Sequence, residues 1–179
     1  VQDTARVLSR YLDGIMIRTY EQKEVEDLAN YGSIPVINGL TDFCHPCQVL
    51  ADLMTIREKF AVLEGIKMCY IGDGNNMANS LIVGGLKTGM KVSIATPEGY
   101  RPHAEVMAFA EGNPDFFITD DPMKAAENAD VVITDTWASM GMEAEKEVRM
   151  KAVKGYQVND ELLAAAKPGC MVQRCLPAY

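Results

Sequence analysis

The chain has 179 residues, 48% hydrophobic and 23% charged, enough for one ordinary domain or one and a part around a substantial core. Its net charge of −8 and pI near 4.8 argue against nucleic acid as a main partner, since phosphate-backbone binding needs clustered Lys and Arg. Five cysteines, without framework spacing, a secretory h-region or a long apolar run, read as reduced thiols in a cytosolic or matrix compartment, with no membrane as partner.

In chain order, short apolar runs alternate with helical patterns. The first helix is expected over 4–12 with Asp3 as N-cap, then a strand at 15–17, a helix over 23–30 and a strand at 34–37. The longest helix is expected over 46–63, with Pro46 at its first position and Gly65 past its end. Strands at 68–71, 92–95, 116–118, 131–133 and 171–173 alternate with helices over 76–88, 102–110, 123–128, 143–152 and 160–166. Most of the strand runs lack polar alternation, as parallel strands covered on both faces do. This order means an α/β fold with right-handed crossovers. No linker is rich in Gly and Ser, so the long helix is the best boundary. The run EAEKEVRMK, 143–151, reads for the most part as a solvated helix face.

Four stretches carry chemistry. In TDFCHPCQVLAD, 41–52, Cys44, His45 and Cys47 lie within four positions, but a zinc site wants four ligands, usually as two pairs. Cys69, Cys170, Cys175 and His103 form no second pair at ligand spacing, and a helix start makes the His45 and Cys47 side chains diverge. More informative is position: His45, Pro46 and Gln48 sit at the N-terminus of a long helix, where anions and oxyanions are favoured. His45 and Gln48 can both donate toward one small polar ligand; a capping His with a surface Gln is an equal alternative.

In YIGDGNNMANSL, 70–81, a strand runs into a glycine turn and then a helix, as in a dinucleotide fold. Met77 stands where the third fingerprint glycine belongs, and the next strand ends Ala95-Thr96-Pro97 with no acidic residue, so a nicotinamide cofactor is disfavoured. Asn75 and Asn76 offer amides at the strand's carboxyl end, or simply cap the helix. In VVITDTWASMGME, 131–143, a strand delivers Asp135 to its carboxyl end, ahead of Trp137, Ser139 and Met140; Asp135 can pair with an ammonium group and Ser139 can add a hydrogen bond. In MVQRCLPAY, 171–179, Arg174, Cys175 and Leu176 end the last strand, and Cys175 falls beside Asp135 if the two strands are neighbours. A buried structural Cys is the ordinary alternative.

Together DTARVLSRYLDGIMIR, HPCQ, IGDGNN, DTWASMG and RCLPA, in this order and spacing, resemble the ornithine carbamoyltransferases from Val1 to Tyr179. The resemblance implies a Rossmann-like parallel-sheet ornithine domain, 65–179, preceded by an interdomain helix, 46–64, and by the last part of a carbamoyl phosphate domain, 1–45. It implies carbamoyl transfer from carbamoyl phosphate to L-ornithine, without metal or organic cofactor, in a homotrimer or larger trimer-based assembly, in the cytoplasm or the mitochondrial matrix. It places Arg18 at the carbamoyl oxygen, and His45 and Gln48 on carbamoyl phosphate. Asn76 and the Met140 backbone then face the ornithine carboxylate, Asp135 and Ser139 its α-amino group, and Cys175 and Leu176 both substrates. Arg174 stands where the family usually has His, which leaves natural variation and an altered acceptor, putrescine or an N-acylated ornithine, both open. The family's upstream Ser-Thr-Arg-Thr-Arg phosphate cradle and its closing C-terminal helix are not in this sequence. An internal piece of a longer protein is therefore expected, one that binds carbamoyl phosphate poorly alone; a noncatalytic ligand-binding α/β module is the alternative for this piece by itself.

Overall fold

Strand runs without polar alternation belong where both faces are covered, and the centre of the molecule is built that way. The structure is a computed structural model that describes residues 1–136 and 155–175. Five strands, β3 (Lys67–Ile71), β4 (Lys91–Ala95), β5 (Phe116–Thr119), β6 (Val131–Thr134) and β7 (Met171–Arg174), form one parallel sheet in the order β5-β4-β3-β6-β7. The register is even: Tyr70 lies opposite Ile94 on one side and Ile133 on the other. Winding runs outward from β3 to β5, then returns to β6 on the other side of β3. The carboxyl ends of β3 and β6 flank that reversal, the place where open α/β sheets bind ligands.

Alternation of side chains along a strand sorts the core into two layers. Met68, Tyr70, Val92, Ile94, Val131 and Ile133 face α3 (Pro46–Phe60), α4 (Asn76–Lys87) and α5 (Ala104–Ala110). Cys69, Ile71, Ala95 and Val132 face α6 (Pro122–Ala126) and α7 (Asp160–Ala165). Coverage on both faces holds for β3, β4 and β6, whereas the flanking β5 and β7 bury only alternate residues less completely.

The first 45 residues are built differently. After α1 (Gln2–Leu8), β1 (Ile15–Arg18) pairs in parallel with β2 (Val36–Leu40), and α2 (Gln22–Tyr31) links them. The register slips between Ile17, opposite Asn38, and Arg18, opposite Leu40. Gly39 is the residue left over. A Cβ there would lie 3.0 Å from the Ile17 carbonyl oxygen and 2.8 Å from Met16 Sδ, so the bulge needs glycine. Only Ala5, Val25 and Leu28 of the apolar side chains in this region are fully buried.

Several boundaries differ from the sequence expectation. Asp3 does not cap α1; Val1 takes that place, Asp3 lies in the first turn, and beyond Leu8 the chain tightens through Arg10 N–H to Val7 and Tyr11 N–H to Leu8. α3 stops at Phe60 because Ala61 turns left-handed (φ 66°) and gives its N–H to the Arg57 carbonyl; Gly65 belongs to a separate turn. β2 starts after Pro35 and runs on through Gly39 to Leu40, past the end at 37 expected from sequence. α5 opens at Ala104, with His103 as its cap, and α6 at Pro122, capped by Asp121. The helix expected over 143–152 lies outside the described residues.

Candidate active site

The turn after β3 is held from below by a buried phenol. The Tyr70 hydroxyl donates to the Asp73 carbonyl (2.9 Å) and lies 3.3 Å from Asn75 Oδ1. Burial pushes this phenol well above its ordinary range, and Asp135, Asp73 and Cys175 push the same way, so it stays neutral. Gly74 passes so close to the loop after β4 that a Cβ would lie 2.4 Å from backbone atoms of Tyr100, Arg101 and Pro102. Asn75 then caps α4, Oδ1 accepting from the N–H groups of Met77 (3.0 Å) and Ala78 (3.2 Å). Its Nδ2 donates to Asp135 Oδ2 at 2.9 Å. One side chain thus orders a helix start and aims a carboxylate at the end of β6. Met77, at the position a dinucleotide fingerprint gives to glycine, is instead buried in the core.

Three residues of α4's first turns hold the loop after β2. Asn76 Nδ2 donates to the Thr41 carbonyl (2.8 Å), Asn79 Nδ2 to the Phe43 carbonyl (2.8 Å), and the His45 N–H to Ser80 Oγ (2.8 Å). Ser80 returns its own proton to the Asn76 carbonyl (2.9 Å), and Asn79 Oδ1 accepts from the His103 N–H (2.9 Å). Buried Thr41 closes the loop on the other side, giving its hydroxyl proton to Gln22 Oε1 (2.9 Å).

His45 is the backbone N-cap of α3, but its side chain caps nothing. Nδ1 is buried and has no hydrogen-bond partner. Burial, then the charge of Arg18, lower the imidazole's pKa, while Asp135 opposes them. His45 is therefore a neutral imidazole with one unspent polar atom, close enough to both Arg18 and Asp135 to feel each charge. The neighbouring cysteines both reach Asn38: Cys44 Sγ, half-buried, lies 3.2 Å from Asn38 Nδ2, and the exposed Cys47 Sγ donates to the Asn38 carbonyl (3.3 Å). Burial raises the Cys44 thiol. Among the described residues no group of three His, Cys, Asp or Glu side chains is placed to hold a metal.

Gln48 looks the other way along α3. Its Nε2 donates to Asp52 Oδ1 (2.9 Å), and its Oε1 lies 3.7 Å from Cys175 Sγ, which donates to it. Because β6 and β7 are neighbours, paired through Thr134 and Arg174, Cys175 follows beside Asp135 as the sequence anticipates. Gln173 and Cys175 share the face toward α3, and Arg174 is on the opposite, exposed side. Ser139, Met140, Trp137 and Leu176 lie outside the described residues. Arg18, His45, Gln48, Asp135 and Cys175 therefore share one neighbourhood with the α4 N-terminus, but Asn76 spends its amide on Thr41, and Gln48 spends its on Asp52. One polar neighbour carries little sequence signal: Asp52 is marked only by its spacing of four from Gln48 on one helix. Two surface cavities, about 220 and 310 Å³, lie away from this site, one lined by Lys67, Lys91 and Phe117 at the strands' amino ends, the other by the 163–170 turn.

Residues 64–179 match the family model for the aspartate/ornithine carbamoyltransferase Asp/Orn binding domain, and residues 1–58 match that for its carbamoyl-P binding domain. Over its whole length the chain is 55% identical to an ornithine carbamoyltransferase of Pyrococcus abyssi and 54% identical to an anabolic ornithine carbamoyltransferase of Pyrococcus furiosus. It spans 58% of the length of each of these relatives. The structure of ornithine carbamoyltransferase from Pyrococcus furiosus superposes with a TM-score of 0.93 at 55% identity, over 99% of this chain and 58% of that one. That of ornithine transcarbamoylase from Giardia lamblia superposes with a TM-score of 0.88 at 33% identity, over 99% of this chain and 62% of that one.

Proposed function

The chain belongs to the aspartate/ornithine carbamoyltransferase family, and from that premise we propose that the whole protein transfers the carbamoyl group of carbamoyl phosphate to the δ-amine of L-ornithine, giving citrulline and phosphate. The observation that carries this reading is the place of Asp135: a buried carboxylate at the sheet's reversal point, oriented by Asn75, with Cys175, His45 and Arg18 around it. In this reading 1–45 is the end of the carbamoyl phosphate domain, 46–64 joins it to the ornithine domain, and 65–179 is the latter.

The nitrogen attacks the carbamoyl carbon, a C–N bond forms, an oxyanion develops on the carbonyl oxygen, and the C–O bond to phosphate then breaks. Arg18 and His45 receive the oxyanion. A neutral imidazole is suited to this, because it donates without having to lose a charge. Loss of one such donor costs roughly 100- to 1000-fold in rate. The attacking amine must be neutral. A lysine-like pKa of about 10.4 makes this cost about 4.6 kcal/mol at pH 7, and the charge of Arg18 favours deprotonation. Asp135 and Cys175 are positioned to take or relay the proton, and the departing phosphate is the final acceptor. Holding both substrates at reacting distance recovers roughly 7–11 kcal/mol of barrier.

Gln48 serves carbamoyl phosphate; Asn76, Ser139, Met140 and Leu176 serve ornithine; Arg174, on the outer side of β7, leaves the acceptor pocket to its neighbours. The assembly is a homotrimer or a multiple of it, working in the cytoplasm or mitochondrial matrix, on an anabolic route to arginine as the name of the Pyrococcus furiosus relative indicates. Among the described residues no helix is long and apolar enough to cross a membrane.

The test is citrulline and phosphate production by the full-length protein offered ornithine, putrescine or N-acetylornithine with carbamoyl phosphate. Ornithine is expected to be used at least tenfold better, in kcat/KM, than either rival. A preference for putrescine or the acylated amine overturns the assignment.

A further inference from the structure

Asp52 is a buried carboxylate near the site to which the reaction above gives no part. It lies one helical turn after Gln48, facing the sheet. Oδ1 takes the Gln48 amide proton at 2.9 Å. Oδ2 is buried and has no hydrogen-bond partner. The amide of Gln173, on β7, rests on this same residue: its Nε2 donates to the Asp52 carbonyl at 3.3 Å, and its Oε1 is buried and likewise without a partner. Two orphaned acceptors thus belong to two residues joined by a hydrogen bond from the Gln173 side chain to the Asp52 main chain. Turning the Gln173 amide over does not help, since its oxygen would then meet the Asp52 carbonyl. A single proton on Oδ2, given to Gln173 Oε1, satisfies both. An unpaired buried polar group costs about 1–3 kcal/mol, more when charged, so the arrangement favours the acid over the carboxylate.

We propose that Asp52 is a positioning residue of the transfer site: as a neutral carboxylic acid it clamps Gln48 through Oδ1 and Gln173 through its Oδ2 proton, fixing the Gln48 carbonyl toward Cys175. The clamp ties α3, which carries His45 at its head, to β7, which carries Cys175 at its end. Burial raises the Asp52 carboxyl, the Gln48 hydrogen bond works against it, and the charge of Asp135 adds to the rise; the net direction is upward, in keeping with this. The kinetic consequence rests on the transfer reaction proposed above; the protonation state does not.

Two substitutions in the full-length protein test it. Asn at position 52 reproduces the acid, an oxygen for Gln48 and N–H donors for Gln173, while Ala removes both contacts. Asp52→Ala is expected to raise KM for carbamoyl phosphate about tenfold, the size of one lost hydrogen bond, with a smaller change in kcat. Asp52→Asn is expected to stay within about threefold of wild type in both constants. Isotope-edited infrared spectra of the aspartates at neutral pH should show a carboxylic-acid carbonyl band that Asp52→Asn removes. Wild-type kinetics for Asp52→Ala overturn the positioning role. Asp52→Asn as impaired as Asp52→Ala, or spectra without the acid band, overturn the neutral acid. Should wild type itself make no citrulline, the reaction assignment fails, and the infrared result still decides the state of Asp52.

Discussion

The segment up to residue 45 and the five-stranded sheet that follows answer the same folding problem in opposite ways. The sheet is sandwiched by helices, and Met68, Tyr70, Ile71, Leu81, Ile82 and Ile133 are essentially removed from water. The two-stranded segment buries three apolar side chains, while Tyr11, Met16, Tyr20 and Ile37 remain exposed. What joins them close to the chemistry is polar: Asn76, Asn79 and Ser80 on the loop 41–45. The lesson is that the site sits on a hydrogen-bonded seam, with a stiff wall providing Asp135 and a lightly packed one providing Arg18 and His45. A seam made of directional bonds fixes loop geometry without requiring a large shared core.

That contrast breaks down if the two regions respond alike to truncation. Leu81→Ala, within the sandwiched core, is expected to cost about 3–5 kcal/mol in urea unfolding. Val25→Ala, its counterpart in the first segment, should cost below about 2 kcal/mol. Equal losses would mean that one continuous core stabilises both. Next in size is the seam itself. Asn79→Ala leaves the Phe43 carbonyl and the His103 N–H without their partner, and a loss of about 1–3 kcal/mol is expected. Hydrogen exchange should then rise in the loop 41–45 more than in β3; protection unchanged in that loop would show that the bond is incidental.

A further effect concerns pH. Burial pushes the Cys69 thiol in β3 from 9.0 up to about 12. A pKa raised by folding gives stability that is complete below the unfolded value and falls as pH rises through the folded one. Between pH 9 and 12 the native state should therefore lose up to about 1.4 kcal/mol per pH unit, a slope that Cys69→Ala removes. An identical alkaline slope in the variant would place its origin elsewhere, for instance in Tyr70, whose phenol is raised in the same direction.

How much of this could be read from sequence varies by residue type. β-Branched and aromatic runs such as VVIT are strands under any packing, so all seven described strands were legible, as was the capped start of α4 at Asn75-Asn76. Helix ends were less so. Ala61 adopts a left-handed conformation that its side chain does not advertise, whereas Gly65, four residues on, is the residue type that ordinarily follows a helix end. Within the site, Asp135, His45 and Cys175 were legible because strand tips and helix starts are places where side chains must face a ligand or solvent. The bond of Asn75 to Asp135 and that of Asp52 to Gln173 were not, because these partners lie 60 and 121 positions away in the chain and only the folded sheet brings them near. The amides of Asn76 and Gln48 show the converse: residue type and position mark them as donors to a ligand, yet both donate to protein groups, a fact no motif encodes.

The central claim is that a carboxylate fixed at the reversal point of the sheet serves an amine attacking an activated carbonyl. The measurement that tests it most directly is steady-state kinetics of Asp135→Asn in the full-length protein with ornithine and carbamoyl phosphate. A fall in kcat/KM for ornithine of at least about 100-fold is predicted, with KM for carbamoyl phosphate little changed. Turnover close to wild type, at an unaltered ornithine affinity, would contradict the account.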